Sequence, residues 1–227
     1  MLIPLHTVLT KNHVRHFRET LGHGPWLDGK RTAGIQASDV KRNQQLDDRS
    51  ESAADLRRQL LTLLGQHQLF VSAALPHRIL SPQFSRYCAG HRYGAHVDNA
   101  VMPTGDPDRI LRTDLSATLF LSHPDEYDGG ELSIETTYGV QEIKLDAGDM
   151  ILYPSGSLHR VAPVTRGIRI CALVWIQSMV RDNHRRALLF DLDQSIQALT
   201  RKRGGTDQEV QRLTGVYHNL VRMWAEV

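Results

Sequence analysis

The chain has 227 residues, 41% of them apolar and 23% charged, with a formal net charge of +2. That length suits one large domain with helical additions, and so mild a charge balance leaves no footprint for nucleic acid. Every apolar run is broken too early to cross a bilayer, and the opening MLIPLHTVLT lacks the basic start and long apolar run of a secretory leader. The expectation is a cytoplasmic protein without nucleic-acid or membrane partners.

Three textures follow one another. Up to about His77, Lys11 to Gly22 sets Val14, Phe17 and Leu21 at helical spacing. GHGPWLDGKRTAG is turn-rich, and SAADLRRQLLTLLGQH lines up Leu56, Leu60, Leu63 and Leu64 on one helical face. From Arg78 to Ser178 the runs LSATLFLS, GELSIET, GVQEIKLD, DMILYP and IRICALVWIQ alternate with turn formers. Many short strands without intervening helices predict a mainly β core, a sandwich or jelly roll, flanked by helices. After that, HRRALLFDLDQSIQALTRK carries Leu188, Leu192, Ile196 and Leu199 on one stripe. The last segment opens with Thr206 and Glu209 in capping-box spacing, then carries Val210, Leu213, Tyr217, Leu220 and Trp224 at helical steps. This helical pair has to bury its stripe against the core or, as the second expectation, against another copy in a homodimer. The expected division is 1–77 as an N-terminal α/β region packing on the core, 78–178 as the β domain and 179–227 as a C-terminal helical region. The two cysteines, Cys88 and Cys171, sit in strand-like surroundings and read as reduced core thiols.

HRYGAHVDNA, from His91 to Ala100, places His96 and Asp98 one residue apart in an extended segment, so both side chains project to one face. With twelve histidines in the chain, about one H-x-D tripeptide is expected by chance. A second one, His123-Pro124-Asp125, does occur, but its proline and neighbouring turn formers place it in a connection with no strand geometry to aim it. A third ligand, distant in sequence and adjacent in a barrel, is His159, delivered by GDMILYPSGSLH. Two imidazoles and one carboxylate on one face of a metal leave open positions opposite, the arrangement of non-haem Fe(II) oxygenases, where a bidentate 2-oxo acid and dioxygen bind. In VTRGIRICALVWIQ, alternation gives Arg169, Cys171, Leu173, Trp175 and Gln177 one face and Ile168, Ile170, Ala172, Val174 and Ile176 the other. The second face is wholly apolar and should pack outward, so Arg169 points into the barrel. A buried guanidinium needs an anion, either a ligand carboxylate held bidentately or an internal Asp or Glu.

RYCAGHRYGAHVDNA, LSHPDEYDGGEL and GDMILYPSGSLHRVAPVTRGIRICALVWIQ, in this order, resemble the Fe(II)/2-oxoglutarate-dependent dioxygenases of the prolyl 4-hydroxylase-like group, and more narrowly the bacterial PKHD-type hydroxylases. The resemblance covers roughly Arg78 to Ser178, with flanking regions similar in length and layout. It implies a double-stranded β-helix with His96, Asp98 and His159 as iron ligands, Arg169 on the distal carboxylate of 2-oxoglutarate, and Tyr87 as a further cosubstrate contact. Phe120 falls near a position where some relatives have a second tyrosine; Thr118 or Ser116 is the candidate replacement. Tyr93 and Trp175 read equally as cavity packing or as site residues. The implied reaction hydroxylates an unactivated C–H bond while 2-oxoglutarate and O2 are consumed to succinate and CO2, with L-ascorbate as a supporting reductant. The substrate, a small molecule or a peptide, is not written in the sequence. Asn99 to Asp114 is expected to shape the mouth of the site, with Arg109 and Arg112 read as solvated loop arginines ahead of substrate contacts. The rival readings are another metal-dependent oxidation on the same barrel, and a non-catalytic iron or 2-oxoglutarate sensor that uses the C-terminal helices as an interaction surface.

Overall fold

The computed structural model describes residues 1–32, 39–106 and 110–227. Among them the strands, in chain order, are β1 (Ile3–Leu5), β2 (Trp26–Asp28), β3 (Lys41–Arg42), β4 (Gln44–Leu46), β5 (Pro76–Ile79), β6 (Gln83–Tyr87), β7 (Arg92–His96), β8 (Val101–Pro103) and β9 (Ile110–Arg112). They continue as β10 (Leu115–Phe120), β11 (Tyr127–Gly129), β12 (Leu132–Thr136), β13 (Gly139–Ile143), β14 (Met150–Pro154), β15 (His159–Val161), β16 (Val164–Gly167) and β17 (Arg169–Ser178). The helices are α1 (Lys11–Gly22), α2 (Glu51–Gln66), α3 (Gln68–Ala74), α4 (Asn183–Arg203) and α5 (Gln208–Trp224).

Antiparallel pairing assembles a major sheet in the order β1-β14-β10-β17-β6-β4-β2, with β5 also on β17, and a minor sheet in the order β13-β12-β15-β7-β3. Two hairpin-like pairs, β8-β9 and β11-β16, complete the β structure. The N-terminal region therefore supplies strands to both sheets as well as helices.

Period-two alternation explains the layers. On β14, Met150 and Leu152 face one way and Ile151 and Tyr153 the other; on β17, Ala172, Val174 and Ile176 oppose Cys171 and Leu173. Met150, Leu152, Ala172, Val174 and Ile176 form one cluster with Val14, Phe17 and Leu21 of α1, Leu56, Leu60 and Leu64 of α2 and Phe70 of α3. Burying each of these larger side chains contributes about 1.5–3 kcal/mol, so this face is the main store of stability. The opposite face joins Tyr87, Phe120, Ile151, Tyr153 and Cys171 to Leu132, Ile134, Ile143 and Val161 of the minor sheet. Helices cover one side of the major sheet and the minor sheet covers the other, so the expected jelly-roll core with flanking helices is present.

Local chemistry sets the element ends. Thr10 caps α1 by accepting from the His13 N–H, and Ser50 caps α2 by accepting from Ala53. Gly148 turns the chain into β14 at φ +101°, and a Cβ there would sit 2.5 Å from the Leu9 carbonyl oxygen. The α5 cap is Asp207, which accepts from the N–H groups of Glu209 and Val210, rather than Thr206. A carboxylate next to the first turn satisfies two donors and complements the helix dipole. On α4 Ile196 of the expected stripe is buried, but Leu188 is 61% exposed and Leu189 is buried in its place. Leu189 joins Leu75 and Val180, with Tyr217, Leu220 and Trp224 of α5 packed against them. Ile168, expected on the apolar outward face of β17, precedes the strand and is exposed.

Both cysteines are free; Cys171 is buried, whereas Cys88 is only half-buried. No helix among the described residues is long and apolar enough to cross a membrane.

Candidate metal centre

β7 ends at His96, and Asp98 lies just past the strand end. Alternation nevertheless persists, because Val97 is exposed while its two neighbours are half-buried. β15 pairs antiparallel with β7 so that His159 stands directly opposite His96. That register is what closes sixty residues of chain onto one point. His96 Nε2 and His159 Nε2 each lie 3.9 Å from Asp98 Oδ1, and one ligand atom from each of the three residues falls within 4.8 Å of the others. Among the described residues this is the one cluster of three such groups.

Each ring is oriented by the backbone. His96 Nδ1–H donates to the Gly94 carbonyl at 2.8 Å and His159 Nδ1–H to the Ser157 carbonyl at 3.0 Å, which leaves both Nε2 lone pairs turned toward Asp98. Burial, with His159 beside it, pulls the His96 pKa down to about 4, so the ring is neutral at ordinary pH, the form a metal ligand requires. Asp98 is held from behind: Ser116 Oγ donates to its Oδ2 at 2.6 Å, and Ser155 Oγ stands 2.7 Å from Ser116 Oγ. Oδ1 is thereby presented to the two imidazoles. Tyr93 stacks on His96 with centroids 3.6 Å apart, and Tyr153 meets His159 edge-on at 5.2 Å. Nitrogen and carboxylate donors without a thiolate suit a borderline divalent metal such as Fe(II).

The triad opens into a cavity of about 330 Å³ that also reaches Tyr87, Thr118, Tyr153 and Arg169. Arg169 is 1% exposed. Its Nη1 donates to Cys171 Sγ at 3.0 Å, while Nε and Nη2 have no partner. Among the described residues the internal ion pair that sequence left open is not formed. Tyr87, opposite Arg169 in the register, and Phe120 hold their rings 5.2 and 5.4 Å from the guanidinium carbon. Gly130, at φ +70°, makes room, since a Cβ there would come 3.2 Å from Arg169 Cδ. Burial pushes the Tyr87 phenol up, the thiol of Cys171 next, and it stays a neutral donor. Two orphaned N–H groups on a buried cation are what a carboxylate from outside would satisfy, so the residues fit 2-oxoglutarate as they fit the metal.

The remaining candidates divide. Thr118 Oγ1 is buried and unpartnered on the cavity wall, whereas the Ser116 hydroxyl is committed to Asp98. Trp175 and Tyr93 both line the cavity, as do Asn99, Met102 and Pro103 from the expected mouth segment. Arg112 keeps part of its side chain in solvent but is also ion-paired: it binds Asp114 at 2.8 and 3.1 Å and Glu226 at 3.1 Å, tying β9 to the C-terminal end of the chain. Arg109 lies outside the described residues. His123 opens a short 3-10 turn with its backbone N–H on Glu126 Oε2 at 2.8 Å, and among the described residues it is not part of a metal-ligand cluster. Sequence reasoning missed Tyr153, Ser155 and Lys41. The alternation of DMILYP would have found Tyr153 on the inner face with Ile151; nothing comparable marks Lys41, which sits on a two-residue strand.

The profile of the 2OG-Fe(II) oxygenase superfamily matches residues 82–177, and that of the PKHD-type hydroxylase C-terminal domain matches 183–226. The chain is 58% identical to a PKHD-type hydroxylase of Pseudoalteromonas atlantica and 55% identical to one of Acidovorax ebreus, over 99% of each chain in both cases. A Pseudomonas putida prolyl-4-hydroxylase crystal structure shares the fold at TM-score 0.51 and 21% identity, covering 78% of this chain and 92% of that one. The fold is thus the double-stranded β-helix of these oxygenases. With near full-length identity of this order, the chain belongs to the PKHD-type hydroxylases, oxidoreductases that depend on Fe(II) and 2-oxoglutarate.

Proposed function

We propose that His96, Asp98 and His159 hold the Fe(II), and that Arg169 and Tyr87 hold 2-oxoglutarate with its distal carboxylate on the guanidinium. The observation that carries this reading is the convergence of three ligand atoms within 4.8 Å in the same cavity as a buried arginine with two unpartnered nitrogens. When bound, iron with 2-oxoglutarate and O2 supplies the oxidant that hydroxylates a C–H bond of the second substrate, with succinate and CO2 released. The chain's own residues do the positioning. The Gly94 and Ser157 carbonyls fix the imidazoles, Ser116 and Ser155 fix the carboxylate, and Tyr87 and Phe120 wall Arg169 from water so that its hydrogen bonds keep their strength.

The oxygenase unit is residues 78–178, braced by the N-terminal region 1–77 and the C-terminal helices 179–227. L-ascorbate serves as the reductant that keeps the iron Fe(II). The enzyme acts in the cytoplasm on a small molecule or a peptide, without nucleic-acid or membrane partners, and the C-terminal helices offer the face for a homodimer. The test is succinate formation from 2-oxoglutarate by the Fe(II)-loaded protein. Slow release without added substrate is expected, and loss of both release and iron binding in His159→Ala. A protein that binds iron and 2-oxoglutarate yet releases no succinate is the sensor instead, and unchanged release in His159→Ala would remove the triad assignment.

A further inference from the structure

Among the described residues no carboxylate holds Arg169, yet its guanidinium must stand at a set distance from the triad to serve a ligand that reaches both. Its one hydrogen bond runs from Nη1 to the Sγ of Cys171 at 3.0 Å. The two residues are two positions apart on β17, so alternation puts both side chains on the inner face. Cys171 is wholly buried there, with Phe120 of β10 and Ser85 of β6 as its cross-strand neighbours. The other contacts are rings. Tyr87 and Phe120 lie against the guanidinium, and the Tyr127 phenol is near it with its hydroxyl unpartnered. Aromatic faces attract a cation without aiming its N–H groups; an acceptor aims them.

Which nitrogen is held matters. With Nη1 taken, the free groups are Nε–H and Nη2–H. These lie side by side along one edge of the plane and form a fork that meets a carboxylate with two parallel bonds. A thiol suits the holding role, being a weak and uncharged acceptor. It orients the guanidinium and leaves the charge to a ligand, whereas an Asp or Glu would neutralise the cation and compete for it. An apolar residue would fill the space and orient nothing.

We propose that Cys171 is a positioning residue for the cosubstrate: its sulfur fixes where the Arg169 fork stands, and so sets the chain length of the 2-oxo acid accepted. This rests on the assignment of metal and cosubstrate given above. The triad fixes one end of the site and the fork the other, so one further methylene has no room while the guanidinium is held.

The test uses the anaerobic Fe(II)-loaded protein and its visible charge-transfer band. 2-Oxoglutarate and its homologue 2-oxoadipate, one methylene longer, are titrated separately. Wild type should half-saturate with 2-oxoglutarate at a concentration at least ~10-fold lower than with 2-oxoadipate, the discrimination that one surplus methylene allows. Cys171→Ala and Cys171→Val both remove the acceptor, one leaving space and the other filling it, while Cys171→Ser keeps an acceptor. In the Ala and Val variants 2-oxoglutarate should weaken by about 10-fold, the scale of one hydrogen bond from a charged group. 2-Oxoadipate should change little, so the preference disappears. Cys171→Ser should retain it, as should Ser85→Ala, which removes an unpartnered buried hydroxyl from the neighbouring strand. No preference in wild type, an unchanged preference in both acceptor-free variants, its loss in Cys171→Ser or Ser85→Ala, or equal weakening of the two acids would each overturn the proposal. The band at saturating 2-oxoglutarate reports on fold and metal in every variant. Its absence from wild type with iron bound would count against the metal and cosubstrate assignment, a different failure from the loss of length discrimination.

Discussion

The H-x-D pattern occurs twice in this chain, at His96-Val97-Asp98 and at His123-Pro124-Asp125, and the two copies end in opposite surroundings. The first closes β7, where pairing with β15 puts a second imidazole opposite it and two serines stand behind the carboxylate. The second opens a 3-10 turn at the surface, where the His123 side chain is 52% exposed and stands 3.9 Å from Asp146. Identical residues thus make a metal centre only where a sheet register supplies the remaining partners. Spacing proposes a site, and pairing decides it.

The largest effect should separate the two tripeptides outright. Asp98→Ala is expected to lose Fe(II) binding and succinate formation, because two imidazoles alone do not complete the triad. Asp125→Ala should leave both within about twofold, as an exposed turn substitution does. Comparable losses in the two variants would erase the distinction.

A second contrast sharpens it with two arginines close in sequence. Arg169 is buried with unpartnered nitrogens, while Arg166 is exposed and already bound to Asp128 at 2.6 and 3.0 Å. Arg169→Ala should raise the KM for 2-oxoglutarate by about 100-fold, as expected for two charge-assisted hydrogen bonds of ~1.5 kcal/mol each. Arg166→Ala should leave that KM unchanged, since an exposed pair contributes only ~0–1 kcal/mol, and to stability.

Smaller again is the support behind the carboxylate. Ser116→Ala removes the hydrogen bond to Asp98 Oδ2 and should weaken Fe(II) or Co(II) binding by about 10-fold, within the range known for groups that orient metal ligands. Ser133→Ala, a buried hydroxyl without a partner on β12, should leave metal affinity intact. Competition titration with a chelator reads both.

The last contrast is one of pH in the metal-free protein. The His96 pKa of about 4 in the fold lies below its unfolded value of ~6.5. Above 6.5 the ring is neutral in both states and adds no pH dependence. As pH falls from 6.5 toward 4 the unfolded chain takes up the proton first, so stability should drop by up to ~1.4 kcal/mol per pH unit from this ring. Urea midpoints measured across that window in wild type and His96→Gln check it, the variant losing this part of the slope.

These contrasts also show where sequence reading stops. The strands were legible because DMILYP and IRICALVWIQ alternate, and the inward turn of Arg169 followed from the apolar outer face of Ala172, Val174 and Ile176. His96, Asp98 and His159 could be picked out, but not that β15 faces β7 in a register that sets His159 on His96; pairing between distant strands leaves no local mark. Lys41 was hidden for the same reason, since a two-residue strand at a sheet edge has no period to read. On α4, spacing alone could not choose between Leu188 and Leu189, and packing against Leu75 and Val180 settled it for Leu189. Thr206 looked like the cap because the box pattern fits it, yet Asp207 sits one residue nearer the free N–H groups and takes two of them.

The central claim is that the triad and Arg169 serve one ligand set in one cavity. The direct measurement is an anaerobic titration of 2-oxoglutarate into the Fe(II)-loaded protein, followed by the visible charge-transfer band of the chelated cosubstrate. The band should saturate in wild type, be absent from Arg169→Ala at the same concentration, and return there only at about 100-fold more 2-oxoglutarate. Equal titrations in the two proteins, or no band with iron bound, would contradict it.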